Sequence, residues 1–221
     1  MRTVLPIVLF SVATAACFTL LYHATTDPAL TLMLLARDPV SVVELQLLQI
    51  QQNPDAGLYA LAALQLPPWT GLLHHVNCLF WFTAACASAF AHQLRPRLLT
   101  YTLGAISFLL FLDESLLLHE RLLPAAQGLA LPVLLLAVAA LLAAALLQWR
   151  AIKSTDLRLL SASALGFLIM LSADAAPLAP LPAMYLEEAA KFSAILLWAW
   201  YVCQTASMGF VDGLHLNGGD P

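Results

Sequence analysis

Six blocks of almost unbroken apolar residues alternate with short polar or proline-containing breaks, at about 4–22, 70–92, 99–121, 129–149, 157–175 and 184–206. Each block is close to the roughly 20 residues a helix needs to cross the hydrocarbon of a bilayer. The pattern therefore predicts an all-α polytopic membrane protein with six transmembrane helices. Proline and glycine mark the breaks, as expected at helix ends: Pro67-Pro68 stand before the second block, Arg95-Pro96-Arg97 after it, Pro124 and Gly128 after the third, and Pro177, Pro180 and Pro182 around the start of the sixth. Residues 1–206 read as one six-helix domain with a long first loop at 24–69. Residues 207–221, Gly-rich and polar, read as a loose tail.

The first block imitates a secretory signal, with Arg2 ahead of an apolar run and the small residues of VATAAC. TAAC is a poor lipoprotein box, and the block is read as a retained helix. Within the long loop, Ser41 and Glu44 have capping-box spacing, while Val40, Val43, Leu47 and Ile50 recur at helical intervals opposite Gln46, Gln49 and Gln51. That is the pattern of an amphipathic helix lying in the interface. Residues 58–66 offer a second short one. Such helices serve as anchors or, alternatively, as a lid over whatever lies beneath them.

Basic residues set the orientation. Arg2, the pair Arg95 and Arg97, and the group Arg150, Lys153 and Arg158 fall in alternate connections, which the positive-inside rule places in the cytoplasm. Both termini of a multi-pass protein of the cell (inner) membrane are then cytoplasmic. Arg37, in the outer loop, is a minor exception. Trp198, Trp200 and Tyr201 near the inner end of the sixth span, with Trp69 and Trp149, read as interfacial anchors.

This orientation gives each polar residue a depth. Span three carries Asp113 and Glu114 in its outer half and His119 and Glu120 near its outer end. Span six begins with Glu187, Glu188 and Lys191, span two with His74 and His75, and spans one and five finish with His23 and Asp174. Five helices thus bring acids or imidazoles to the outer side, whereas His92 is the comparable group at the inner side. At about 100° per residue, Asp113 and Glu120 point nearly the same way, with Glu114 and His119 flanking them. Glu187 and Lys191 form an i, i+4 pair.

Charge counting separates a structural from a functional account. Glu187 with Lys191, and Glu120 with Arg121 or Lys191, would be ordinary ion pairs. Yet spans three and six together hold more carboxylates than nearby bases, and an unpaired charge at mid-membrane costs about 2.5–3.5 kcal/mol. Ionisable residues in spans are functional candidates by default. Carboxylates with imidazoles suit a divalent metal such as Zn, Mn or Fe. The candidate ligands are Asp113, His119, His74, His75 and Glu188, with Glu120 or Glu187 as general base for a metal-activated water. Neither HExxH nor the Glu-x-x-His spacing of di-metal bundles occurs, so such a site would be assembled across helices.

The leading expectation is a metal-dependent hydrolase or related enzyme reached from the outer side by an amphiphilic substrate. A non-catalytic subunit among other membrane subunits, packed through the Ala-rich fourth span, is the alternative. A cation- or proton-coupled carrier is a further one, against which stands the dry inner half of span six. A b-type haem between His74 or His75 and His119 is disfavoured because the acids would repel its propionates. Cys17, Cys78, Cys86 and Cys203 lie in spans without a CxxC arrangement and read as small apolar residues.

Composition agrees with the pattern. The residues are 62% hydrophobic and 10% charged, and mean hydropathy is +0.85, far from a soluble domain. The lipid bilayer is thus the first partner. A net charge of −4 without a basic block gives nucleic acid no footprint.

Overall fold

The computed structural model describes residues 13–14, 16–19, 23, 28–36, 43, 47, 70–116, 139–140, 143–144, 146–175 and 180–217. Among the described residues every regular element is a helix. They are α1 (Pro28–Ala36), α2 (Leu72–Leu94), α3 (Leu98–Leu116), the single turn α4 (Trp149–Ile152), α5 (Leu157–Ala175) and α6 (Pro180–Asn217). The predicted interfacial helix is represented by helical residues 43 and 47; the rest of it, like most of the first and fourth spans, lies outside the described residues.

Local chemistry sets the ends. Gly71 adopts φ 72°, a left-handed conformation that a Cβ would disfavour. Its N–H donates to the Leu34 carbonyl at 2.7 Å and its own carbonyl accepts from His75 N–H, so α2 starts tied to α1. At the other end Arg95 is extended, as a residue before proline must be. Asp156 Oδ1 accepts from the Arg158 N–H and caps α5. Pro180 and Pro182 occupy the first turn of α6, where no intrahelical donor is lost.

The long helices pack side by side in the order α3, α2, α6, α5, with α1 across the N-terminal ends of α2 and α6. Neighbouring contacts give the directions. Phe82 meets Phe111 and His92 meets Tyr101, so α2 and α3 are antiparallel. Phe80 meets Phe192 and Trp81 meets Trp198, so α2 and α6 are parallel. Small residues bring backbones together: Ser163 Oγ donates to the Ala194 carbonyl at 2.9 Å, and a Cβ placed on Gly166 would lie 2.8 Å from Ala194 Cβ. One core cluster joins Leu99, Leu103, Leu159, Leu197 and Val202. A second, at the N-terminal ends of α2 and α6, joins Phe18, Leu32, Ala36 and Tyr185.

Three sequence expectations change. α6 does not stop near 206 but continues to Asn217, because helical hydrogen bonding propagates through MGFVDGLHLN although its hydropathy falls. Trp198 and Tyr201 are not interfacial anchors: Tyr201 is 1% exposed and bonds Thr155 at 3.0 Å, and Trp198 Nε1 donates to Ser107 Oγ at 3.0 Å. A ring with one polar tip is as well satisfied by a buried partner as by an interface. Those contacts also place hydrogen-bonded polar groups in the part of the sixth block that reads as dry. Among the described residues, α3 is the one helix long and apolar enough to cross a membrane by length and composition; the apolar stretch Leu157–Ala173 is shorter.

Gly166→Ala should destabilise the protein by about 1–3 kcal/mol, the usual cost of overpacking, because the new methyl meets rigid atoms of Ala194 rather than a flexible tip. Thermal unfolding in detergent checks this against Leu165→Ala, an exposed position that should change little.

Candidate functional site

Three helices meet around one carboxylate. Glu114, near the end of α3, places Oε1 2.8 Å from Lys191 Nζ of α6 and 3.4 Å from His74 Nδ1 of α2. That oxygen is buried and accepts no aligned hydrogen bond, so the contacts are Coulombic rather than directional. In low dielectric such contacts are far stronger than in water. His74 is itself buried, and its other nitrogen, Nε2, lies 3.8 Å from Cys78 Sγ one turn along α2. The order is therefore Cys78, His74, Glu114, Lys191.

Helix geometry produces this order. His74 and Cys78 are i, i+4 neighbours and share a face. On α3, Thr100, Ser107 and Glu114 recur every seven residues, nearly two turns, and on α6 so do Lys191, Trp198 and Thr205. The two rows run antiparallel, so Glu114 meets Lys191 while Ser107 meets Trp198. One end of the row is an ion pair and the middle is a neutral hydrogen bond.

The sequence candidates distribute around this centre. His74 is within it, and the His75 ring lies 5.6 Å from the His74 ring but is exposed. Asp113, Glu187 and Glu188 are half-buried and engaged by neighbouring groups. His119 and Glu120 lie outside the described residues, and only the backbone of Asp174, within α5, is described. His23 is helical and exposed. Among the described residues, no group of three His, Cys, Asp or Glu side chains is close enough to hold a metal ion. Beside Glu114 the compensating cation is an ammonium.

Sequence reasoning passed over Glu114 as a site residue in favour of Asp113, and read Cys78 as a small apolar residue. The seven-residue polar row Thr100, Ser107, Glu114 was the available signal for the first. For the second it was the i, i+4 spacing from a histidine. Further along α2, Asn77 is 2% exposed and, among the described residues, its Oδ1 has no partner; Ser88 Oγ and Gln204 Oε1 are likewise buried without one.

Replacing Lys191 by Met should destabilise the protein by about 3–5 kcal/mol, the cost of leaving a buried charge uncompensated. Adding Glu114→Gln to that variant should recover a large part of the loss. Thermal unfolding of both single variants and the double one measures the coupling; additivity would mean that the pair does not interact.

No curated protein and no solved structure shows significant similarity to the chain. Residues 4–205 match the family described as Domain of unknown function (DUF8692), and with nearly its whole length matched the chain belongs to that family.

Proposed function

We propose that the protein is a six-span membrane enzyme with both termini in the cytoplasm, carrying out nucleophilic acyl transfer on an amphiphilic ester at the extracytoplasmic end of its helices. The observation that carries this reading is the continuous order from Cys78 Sγ through the His74 ring to Glu114. A thiol beside an imidazole whose far nitrogen faces a carboxylate has the three roles of nucleophile, base and orienting acid. With Nδ1–H toward Glu114, Nε2 is left as the acceptor for the thiol proton.

The chemistry follows from those positions. His74 Nε2 takes the Cys78 proton as sulfur attacks the acyl carbonyl, and returns it to the departing alcohol, leaving a thioester on Cys78. Water or a second alcohol then releases the acyl group by the reverse proton movements. Lys191 holds Glu114 as a carboxylate facing His74, so it positions rather than reacts. The membrane setting draws support from the apolar exterior. Leu79, Phe82, Phe90, Leu98, Phe108 and Leu168 are all exposed, a surface too apolar for a soluble monomer. A metal-assisted version of the enzyme would enlist His119 and Glu120 with Asp113, His75 and Glu188. The contact between Lys191 and Glu114 favours the metal-free version, because an ammonium already supplies the positive charge at that carboxylate.

A second reading, a proton- or cation-coupled carrier, draws on the unpartnered buried atoms of Asn77, Ser88 and Gln204. Buried polar atoms of this kind are commonly satisfied by internal water. A file of such waters would lead inward from Glu114.

The test uses the full-length protein in micelles with a medium-chain fatty acid p-nitrophenyl ester. A hydroxylamine-labile acyl adduct should form on Cys78, be absent in Cys78→Ala, and form at least about 100-fold more slowly in His74→Ala, the usual worth of a general base. An adduct spread equally over Cys17, Cys86 and Cys203, or an unaffected rate in His74→Ala, would overturn the proposal.

A further inference from the structure

At the opposite end of the bundle, where the antiparallel rows of α3 and α6 reach Thr100 and Thr205, no side-chain bridge forms. Instead a cavity of about 550 Å³ opens, lined by both threonines together with Arg97, Gln148, Ser154 and Thr155. Its hydrogen-bonding character follows from where each donor is already committed. Thr100 Oγ1 donates to the Arg97 carbonyl at 2.8 Å, Ser154 Oγ to the Ala151 carbonyl at 2.7 Å, and Thr155 Oγ1 to the Ile152 carbonyl at 2.6 Å. Gln148 Nε2 uses both its hydrogens, on Thr102 Oγ1 at 3.1 Å and on the Ala144 carbonyl at 2.8 Å. A hydroxyl that has donated its hydrogen, and an amide that has donated two, have only oxygen lone pairs left to offer.

Three of the four lining hydroxyls and Gln148 Oε1 therefore present acceptors, Thr155 with a single lone pair because the Tyr201 hydroxyl already donates to it, and these suit a ligand rich in N–H donors. Arg97 brings the opposite property. Its guanidinium has five N–H donors in a planar fork that matches phosphate, enough to serve a ligand beside another partner. The rim is apolar, with Leu98 and Met208 both exposed. An anion-binding fork, an acceptor wall and an apolar rim match one amphiphile: a phosphate joined to a primary ammonium and attached to acyl chains.

We infer that this cavity binds the headgroup of a phosphoethanolamine-type lipid from the cytoplasmic leaflet, phosphate on Arg97 and ammonium against Gln148, Thr100, Ser154 and Thr155. The site rests on the membrane reading above, which puts this end of the bundle at the inner interface. It is separate from the Cys78 centre and does not depend on its chemistry.

The test is a thermal-unfolding and native-mass series on the full-length protein in detergent. Its probes are short-chain phosphatidylethanolamine, phosphatidylcholine and phosphatidylglycerol of equal chain length, and free O-phosphoethanolamine. Phosphatidylethanolamine should bind about tenfold more tightly than phosphatidylcholine, whose quaternary nitrogen has no N–H, the order of one charge-assisted hydrogen bond. It should exceed phosphatidylglycerol, which has no ammonium, and the free headgroup, which has no chains to meet the rim. Arg97→Gln should remove about tenfold in affinity and Arg97→Lys less, while Leu165→Ala, at an exposed position on α5, should leave the series unchanged. Equal binding of the three lipids, equal binding of the free headgroup, or an unaltered series in Arg97→Gln overturns the site. The lipid arms use unaltered protein, so they decide even if a variant misfolds. Failure of the membrane reading would show separately, as a chain that stays in solution without detergent.

Discussion

A carboxylate taken out of water has to be met by positive charge, and most of the bundle's arrangement around Glu114 follows from that. Lys191 reaches it from α6 and His74 from α2, so one oxygen ties three helices that otherwise touch mainly through apolar surfaces. The long lysine stem lets α3 and α6 connect across a gap that their backbones seldom close. The ammonium and the imidazole both approach the same oxygen, which draws His74 Nδ1 toward Glu114. Its second nitrogen is thereby presented to Cys78. Under the proposed chemistry, charge compensation and the placing of the base are one contact.

The polar row continues inward from that contact in graded form. An ion pair between Glu114 and Lys191 gives way two turns on to the neutral bond between Trp198 and Ser107, and two turns further to open space between Thr100 and Thr205. Apolar packing of Leu99, Leu103, Leu197 and Val202 fills in around these levels. Apolar burial is non-directional, so close contact with a few polar links has to fix the register of the helices.

Much of the architecture was legible in the primary structure. The block at 157–175 coincides with α5, and the block at 70–92 differs from α2 by two residues at either end. The end of α6 was not legible, since hydropathy reports solvent preference whereas a helix ends where its hydrogen bonding ends. Helical rise puts Glu114, Lys191 and His74 near one another, as their contacts show, but that Glu114 meets the lysine was not readable. Asp113 and Glu114 are about 100° apart, and their rows, through Ile106 and Ser107, are both buried. Only the position of α6 decides between them. Trp198 and Tyr201 misled for a related reason, because residue type alone does not distinguish an interface from a buried polar partner.

The near-contact of Gly166 with Ala194 has a mechanical meaning. Where the lack of a Cβ lets α5 come this close to the Ala194 methyl, rolling or sliding soon meets a collision, so α5 and α6 are locked at this level. Cys78 and His74 belong to α2 and Glu114 to α3, whereas Lys191 rides on the locked pair. A shift of α2 or α3 relative to α6 would therefore lengthen the contacts of Glu114 with His74 or Lys191, whereas a shift of α5 alone would not touch them.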